Sequence, residues 1–152
     1  MSTRRGQEGL LSPEAVLHRA AERLAQQFTG LVGEETVERV VFESYTALAR
    51  TAKVTALLPP LAEKFARDRL VAITQYRGQV EKTVPEILYV CVQNSGRSQM
   101  AAAITRKLGG DRVHVRSAGS QPAAALLPGV VTVLEEIGID LSEEFPKPLT
   151  DD

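Results

Sequence analysis

The sequence predicts an α/β fold with a partial parallel sheet, preceded by an all-α three-helix bundle. From residue 12 to about 79, apolar side chains recur at the three- and four-residue spacing of amphipathic helices. From residue 84 the pattern changes to strand, loop, helix, strand, helix, which is the order of a right-handed βαβ unit. We therefore predict a bundle over residues 1–82 and an α/β domain over residues 83–152.

Three amphipathic segments make up the predicted bundle. The first, "LSPEAVLHRAAERLAQQF", opens with Ser12 as N-cap and Pro13 at the first helical position. The second is "EETVERVVFESYTALARTA", with its glutamates near the start as the helix dipole favours. The sequence "LLPP" is expected to break the chain before the third helix, whose predicted apolar stripe is Leu61, Phe65, Ala72 and Tyr76.

Composition excludes several classes of protein. The 152 residues are 43% hydrophobic with a net charge of −1, and residues 1–82 carry twelve Lys/Arg against ten Asp/Glu. We therefore expect no nucleic-acid or membrane partner, since neither a basic face nor an apolar run of roughly 20 residues is present. The N-terminus has no apolar core of a secretory signal, and one cysteine forms no internal disulfide, so the expected location is the cytoplasm. Packing, dimerisation and partner docking remain open as roles of the bundle.

The α/β domain is predicted from four consecutive segments. The run "VPEILYVCV" is rich in β-branched residues and is expected to form a strand buried on both faces. The next segment, "RSQMAAAITRKLGG", is helical and stops at a pair of glycines. A second strand, "RVHVRSAGS", and a second helix, "LLPGVVTVLEEIG", follow.

The loop "CVQNSGR" lies between the first of these strands and its helix, where ligands of parallel α/β units gather. Its backbone N–H groups and the helix N-terminus can bind an anion, with Gly96 and Asn94 suited to an unusual loop backbone. The same field lowers the pKa of the Cys91 thiol, and Arg97 offers a planar fork for two oxygens. Ser98 is expected to donate a hydrogen bond to the thiolate. The pattern predicts a nucleophile facing an oxyanion pocket.

A simpler interpretation treats Cys91 as an inert small hydrophobe on a buried strand, and Cys-x5-Arg by itself is a weak motif. The surroundings favour the functional interpretation. Cys91 closes the strand, small polar residues fill the loop, and Arg97 opens a helix, where a cation is unfavourable unless an anion offsets it. The two histidines, His18 and His114, have no catalytic partner spacing, and we expect neither they nor any other residues to hold a metal.

The stretch "VCVQNSGRSQMAAA" resembles the active-site loop of arsenate reductases with the low-molecular-weight tyrosine phosphatase fold. The phosphatase branch typically has a second cysteine where this chain has Gly96, and "NSGRSQMA" is similar to the reductase branch. Two further stretches, "VRSAGSQPA" and "IGIDLSEEFPKPLT", are also similar to that family. The resemblance covers about residues 84–150, and the bundle resembles an extension found on some actinobacterial members.

The resemblance implies that Cys91 attacks arsenate, or a phosphate ester in the phosphatase interpretation. Arg97 and Ser98 complete the implied catalytic set, with Ser98 supporting the thiolate. The implied oxyanion-binding residues are Val92, Gln93, Asn94, Ser95, Gly96, Arg97 and Ser98, although Gln93 stands where many reductases have histidine. No tightly bound cofactor is implied. Because this chain lacks the family's later cysteines, an external thiol is expected to complete the reduction: mycothiol, bacillithiol or glutathione with a redoxin.

Two departures from the family pattern shape the remaining expectations. The family has a four-stranded sheet and a late aspartate general acid, whereas two strands are predicted here and Asp151 and Asp152 come too early for that acid. We therefore expect a fragment of a longer protein, or a chain that dimerises to cover the apolar edge of "ILYVCV". A non-catalytic, oligomeric oxyanion-binding module is the alternative. A regulator of arsenic response is disfavoured, because neither a winged helix-turn-helix nor paired cysteines are visible.

Overall fold

The computed structural model describes residues 12–151. Residues 1–11 and Asp152 lie outside this part of the chain. Residues 1–11 make up most of the N-terminal segment that is predicted not to be a secretory signal. The elements are α1 (Pro13–Gln27), α2 (Glu34–Ala49), α3 (Leu58–Tyr76), β1 (Glu86–Cys91), α4 (Arg97–Gly109), a 3₁₀ turn (Gly110–Arg112), β2 (His114–Gly119) and α5 (Pro128–Glu136). The predicted fold class is confirmed, while the boundary between residues 82 and 83 stays a prediction.

The three helices of the bundle share one apolar core. Ser12 caps α1 as predicted, its hydroxyl oxygen accepting a hydrogen bond of 3.2 Å from the amide of Ala15. Burial of each large aliphatic side chain stabilises the fold by about 1.5–3 kcal/mol. The most deeply buried aliphatic residues of this core are Leu17, Leu24, Val37, Val40, Val41, Leu58, Ala62, Ala66 and Leu70.

The start of α3 differs from the prediction. The helix begins at Leu58, so Pro59 and Pro60 lie inside its first turn instead of before it. Proline fits there because the first-turn N–H groups have no intrahelical partner.

The predicted apolar stripe of α3 is also wrong in part. Phe65 is buried, but Tyr76 is 92% exposed, and Leu61 and Ala72 are only partly buried. The buried face of α3, turned to α1 and α2, is formed by a set of residues that the prediction identified only in part. Those residues are Leu58, Ala62, Phe65, Ala66, Leu70 and Thr74.

The sheet has two parallel strands, with Glu86 opposite His114 at one end and Cys91 opposite Gly119 at the other. Helix α4 packs against one face of this sheet, where the hydroxyls of Tyr89 and Thr105 lie 2.8 Å apart.

The expectation that β1 is buried on both faces is wrong. Leu88 and Val90, which alternate with Tyr89 along the strand, are 52% and 49% exposed. Alternate residues of a strand point to opposite faces, and only one face lies under α4. In the described part of the chain β1 pairs with β2 alone.

A second, smaller core holds α5 against α4. It contains Ala103, Val130, Leu134 and Leu141. After α5 the chain passes alongside β2: the amide of Gly119 donates to the carbonyl of Lys147 at 2.8 Å, and the amide of Leu149 donates to the carbonyl of Gly119 at 2.9 Å. Segment 143–149 thus lies next to the C-terminal end of β2, where Gly119 is paired with Cys91. No helix among the described residues is long and apolar enough to cross a membrane.

Candidate active site: a thiol at the end of a parallel strand

The cysteine loop, residues 91–98, connects β1 to α4. Cys91 is the last residue of β1 and Arg97 is the first of α4. No side chain caps the N-terminus of α4, so its first-turn N–H groups are available to an anion, and the positive end of the helix dipole points the same way.

Cys91 receives hydrogen bonds that favour its ionised form. Its sulfur lies 2.9 Å from the hydroxyl oxygen of Ser98 and accepts a hydrogen bond of 3.2 Å from the amide of Asn94. Burial raises the pKa of the thiol, but hydrogen bonds from the Ser98 hydroxyl and from the amides of Ser98, Asn94 and Gln93 outweigh it. The net result is a lowered pKa, which is the property of a nucleophilic cysteine.

Asn94 determines how Ser98 is oriented. Its side-chain oxygen accepts from the amide of Lys147 at 2.8 Å, so its side-chain nitrogen is the atom that donates to the Ser98 hydroxyl, at 2.7 Å. Because the hydroxyl oxygen of Ser98 already accepts a hydrogen bond from Asn94, the hydroxyl proton remains available for the sulfur of Cys91. Asn94 is fully buried with φ of 49°, in the left-handed region that asparagine tolerates.

A neighbouring segment turns the loop carbonyls away from the loop interior. The amides of Ser120, Gln121, Ala123 and Leu127 donate to the carbonyls of Cys91, Val92, Gln93 and Ser95, respectively, at 2.7–3.1 Å. In a trans peptide the N–H points opposite to the carbonyl, so the following amides face the other way. The loop therefore presents a set of N–H groups, the arrangement of an anion-binding nest.

Two glycines allow this close packing. A side chain at Gly119 would place a Cβ 2.7 Å from the carbonyl oxygen of Val92 and 2.9 Å from the amide of Asn94. At Gly96 the Cβ would lie 3.2 Å from Leu127. The left-handed residue of the loop is Asn94, and Gly96 has φ of −137°.

Arg97 is exposed at the start of α4, and its side chain makes no hydrogen bond or ion pair with the described residues. A guanidinium at a helix N-terminus opposes the helix dipole, and its position suits an anion bound at the loop. Of the predicted site residues, the structure joins Cys91, Asn94 and Ser98 by hydrogen bonds. Val92 and Gln93 have exposed side chains, whereas Ser95 and Gly96 are buried. Their contacts with an oxyanion remain predictions.

Sequence reasoning missed Gln99 and Phe145. Gln99 is fully buried, and its amide nitrogen lies 3.1 Å from each of three acceptors: the backbone and side-chain oxygens of Asn94 and the carbonyl of Phe145. No local pattern indicates these contacts, because Phe145 is 46 residues away in sequence. The sequence predicted Gly119 only as part of a glycine turn at the end of the second strand, without its close contact with the cysteine loop.

The remaining titratable candidates lie in other interactions. His18 pairs with Glu38 in the bundle at 2.9 Å, and His114 pairs with Glu86 at the end of the sheet remote from Cys91, at 3.1 Å. Asp140 accepts from Ser142. Among the described residues no group of three His, Cys, Asp or Glu side chains is placed to hold a metal ion.

A thiol at the carboxyl end of a parallel strand, next to a helix N-terminus without a side-chain cap, is typical of the class of proteins that use a cysteine nucleophile. Family comparison agrees with this class. Residues 17–74 match the protein-tyrosine-phosphatase-like N-terminal domain, and residues 86–152 match the low-molecular-weight phosphotyrosine protein phosphatase family.

A solved structure extends the match over both parts of the chain. The thioredoxin-dependent arsenate reductase of Corynebacterium glutamicum is 49% identical, with a TM-score of 0.86 over 90% of this chain and 68% of that one. The chain therefore belongs to the low-molecular-weight phosphotyrosine protein phosphatase family, in the form that carries the phosphatase-like N-terminal domain. The predicted resemblance to arsenate reductases of this fold is confirmed.

Curated relatives match the α/β half. The glutaredoxin arsenate reductase of Synechocystis is 34% identical over 64 residues, covering 42% of this chain and 48% of that protein. An arsenate reductase of Halalkalibacterium halodurans is 45% identical over 58 residues, covering 38% and 41%. The chain spans about half the length of the curated relatives that it matches.

Proposed function

We propose that this chain carries the nucleophile and oxyanion site of a thiol-dependent arsenate reductase. The observation that carries the proposal is the environment of Cys91, whose sulfur lies 2.9 Å from the Ser98 hydroxyl and 3.2 Å from the Asn94 amide at the N-terminus of α4. Relatives named arsenate reductases share this part of the chain. We expect it to act in the cytoplasm, where a single cysteine stays reduced.

In the proposed binding step, the loop amides and Arg97 hold a tetrahedral oxyanion. The loop carbonyls accept hydrogen bonds from amides of segment 120–127, and the loop amides after Cys91 point to the opposite side. Arg97 then supplies a planar pair of donors to two oxygens of the ion.

In the proposed chemical step, the Cys91 thiolate attacks the arsenic of arsenate and a sulfur–arsenic bond forms. One arsenate oxygen takes up protons and leaves as water. A second thiol then attacks the sulfur of Cys91: a disulfide forms, the sulfur–arsenic bond breaks, and its electron pair stays with arsenic. Arsenate is thereby reduced to arsenite, and two thiols are oxidised to one disulfide.

The second thiol must come from outside these 152 residues, since Cys91 is the only cysteine among them. We propose a low-molecular-weight thiol (mycothiol, bacillithiol or glutathione) with a redoxin that reopens the mixed disulfide. Thioredoxin is the competing source, because the Corynebacterium relative is named for its dependence on it.

A phosphatase is the second candidate, because the matched family model is that of phosphotyrosine phosphatases. An alkoxide leaving group needs a proton from a general acid. In the described part of the chain, no carboxylate is a hydrogen-bond partner of Cys91, Asn94 or Ser98. The oxygen that leaves arsenate departs as water, so the proposed reduction depends less on such an acid than phosphate-ester hydrolysis does. A non-catalytic oxyanion-binding module, with dimerisation through the bundle or the free edge of β1, would bind without turnover.

The test is arsenite production by the wild-type chain and by Cys91→Ser, with inorganic phosphate binding measured in parallel. Each thiol with its redoxin, and thioredoxin with its reductase, is supplied separately. We expect arsenite only with a low-molecular-weight thiol, and none from Cys91→Ser although phosphate still binds. Reduction by Cys91→Ser would refute the mechanism, turnover with thioredoxin alone would refute the proposed reductant, and phosphate binding without any turnover would support the binding module.

A further inference from the structure

Phe145 belongs to the bundle through its side chain and to the cysteine loop through its backbone. The residue is 8% exposed, and its side chain packs in the apolar core formed by the three helices. Its carbonyl oxygen accepts a hydrogen bond of 3.1 Å from the side chain of Gln99. One residue thus contacts both halves of the chain.

Gln99 carries this connection into the loop. The same amide nitrogen lies 3.1 Å from the backbone and side-chain oxygens of Asn94. Two residues beyond Phe145, the amide of Lys147 donates to that side-chain oxygen at 2.8 Å. Asn94 in turn donates to Ser98, which contacts the sulfur of Cys91.

Segment 143–149 has a second connection to the bundle and little freedom of its own. The ammonium group of Lys64, on α3, donates to the carbonyl of Glu143 at 3.1 Å. The buried ammonium group of Lys147 lies 4.8 Å above the ring of Phe145 and 3.3 Å from the carboxylate of Glu144. Glu144 also pairs with Arg106 of α4, at 3.2 Å. The segment is therefore fixed between α3 and α4.

We propose that the bundle holds the cysteine loop in its anion-binding geometry through Phe145, which acts as a positioning residue. Packing of the ring in the bundle places the carbonyl that orients Gln99 and the amide that orients Asn94. When the ring is removed, segment 143–149 gains freedom, and the hydrogen bonds that align Asn94 and Ser98 weaken. The inference rests on the proposed oxyanion site, but not on arsenate as its substrate.

The experiment compares Phe145→Ala with Phe28→Ala, the same change at a residue that is 7% exposed in the same core. Two properties are measured: the pH dependence of Cys91 alkylation by iodoacetamide, and the dissociation constant of inorganic phosphate. For Phe145→Ala we expect the alkylation midpoint to rise by about half a pH unit or more, because fewer hydrogen bonds favour the thiolate. We also expect phosphate to bind at least about threefold more weakly, because misaligned amide donors form weaker hydrogen bonds. Phe28→Ala should lower stability and change neither property, and Phe145→Leu should restore most of both.

A further variant severs the connection at a residue outside the bundle, and a matched change serves as its control. Gln99→Leu removes the amide that joins Phe145 to Asn94, and Gln26→Leu is the matched change on the exposed surface of α1. Gln99→Leu should shift the alkylation midpoint as Phe145→Ala does. If Phe145→Ala does not fold, the result for Gln99→Leu alone tests the inference. Wild-type profiles for Gln99→Leu, or equal shifts in Phe28→Ala and Phe145→Ala, would overturn the inference. Neither readout requires arsenate turnover, so a failed reduction assay leaves this test intact.

Discussion

The hydroxyl oxygen of Ser98 lies 2.9 Å from the sulfur of Cys91 and 2.7 Å from the side-chain nitrogen of Asn94. Since the asparagine nitrogen donates to that oxygen, the serine proton points to the sulfur. The thiol therefore has a built-in donor that stabilises its negative charge before any substrate binds.

Ser98→Ala is expected to raise the pKa of Cys91, because it removes the side-chain hydrogen bond that contributes most to stabilising the thiolate. The thiolate's ultraviolet absorbance, followed against pH, measures this shift directly. Ser142→Ala, at an exposed serine that contacts Asp140, is the matched control and should leave the titration unchanged. An unshifted titration in Ser98→Ala would show that the loop amides alone set the pKa.

The lowered pKa of Cys91 links folding stability to pH. Its folded-state pKa lies below the ordinary value of 9.0, so ionisation favours the folded chain. This contribution is complete above pH 9.0 and is lost as the pH falls through the folded pKa. Under reducing conditions, the free energy of unfolding of the wild type relative to Cys91→Ala should therefore increase between neutral pH and pH 9. Denaturant titrations at several pH values measure it, and a constant difference would contradict the prediction.

Arg97→Ala is expected to weaken inorganic phosphate binding by about tenfold or more, since a charge-assisted hydrogen bond contributes about 1.5–3 kcal/mol. Arg97→Lys should recover part of the affinity, because lysine keeps the charge without the planar fork. Neither change should lower stability, since a cation at the N-terminus of α4 opposes the helix dipole. Calorimetric titration gives the affinities, with Arg19→Ala on the exposed face of α1 as control. Equal binding by Arg97→Ala and Arg19→Ala would remove Arg97 from the oxyanion site.

Gly119→Ala is expected to destabilise the fold by about 1–3 kcal/mol, the usual cost of overpacking. The added methyl group would lie 2.7 Å from the carbonyl oxygen of Val92, which accepts a hydrogen bond from the amide of Gln121, while Gly119 itself is paired with Cys91 in the sheet. Gly129→Ala in α5 is the control: its Cβ meets no atom within 4 Å, and alanine is the better helix former. Thermal unfolding of both variants should show a lower midpoint only for Gly119→Ala. A wild-type midpoint for Gly119→Ala would mean that the loop can move away.

Local signals predicted most elements of the fold and the centre of the site. Ser12 and Pro13 mark the start of α1, and the paired glycines at the end of α4 mark its stop, because caps and helix breakers act over a few residues. The cysteine loop was predicted in the same way. Cys91 ends a strand, and Ser98 lies within the first turn of the following helix, so local signals locate both ends of the loop.

Long-range packing explains the errors. Tyr76 fits the apolar period of α3 but is exposed: it is the last residue of the helix, and the last buried residue is Thr74. Leu88 and Val90 indicate a buried strand, yet only one face of β1 lies under α4. A periodic pattern gives the faces of an element but not which neighbours cover them.

By itself, then, the sequence determined the three helices, the βαβ order and the thiol loop, since each depends on residues close together in the chain. The tertiary structure alone decided which face of α3 is buried, which face of β1 is open, and how Asn94 is held. The contacts of Asn94 with Lys147, and of Gln99 with Phe145, join residues 53 and 46 positions apart. Such contacts depend on the packing of distant segments, and no local pattern encodes them.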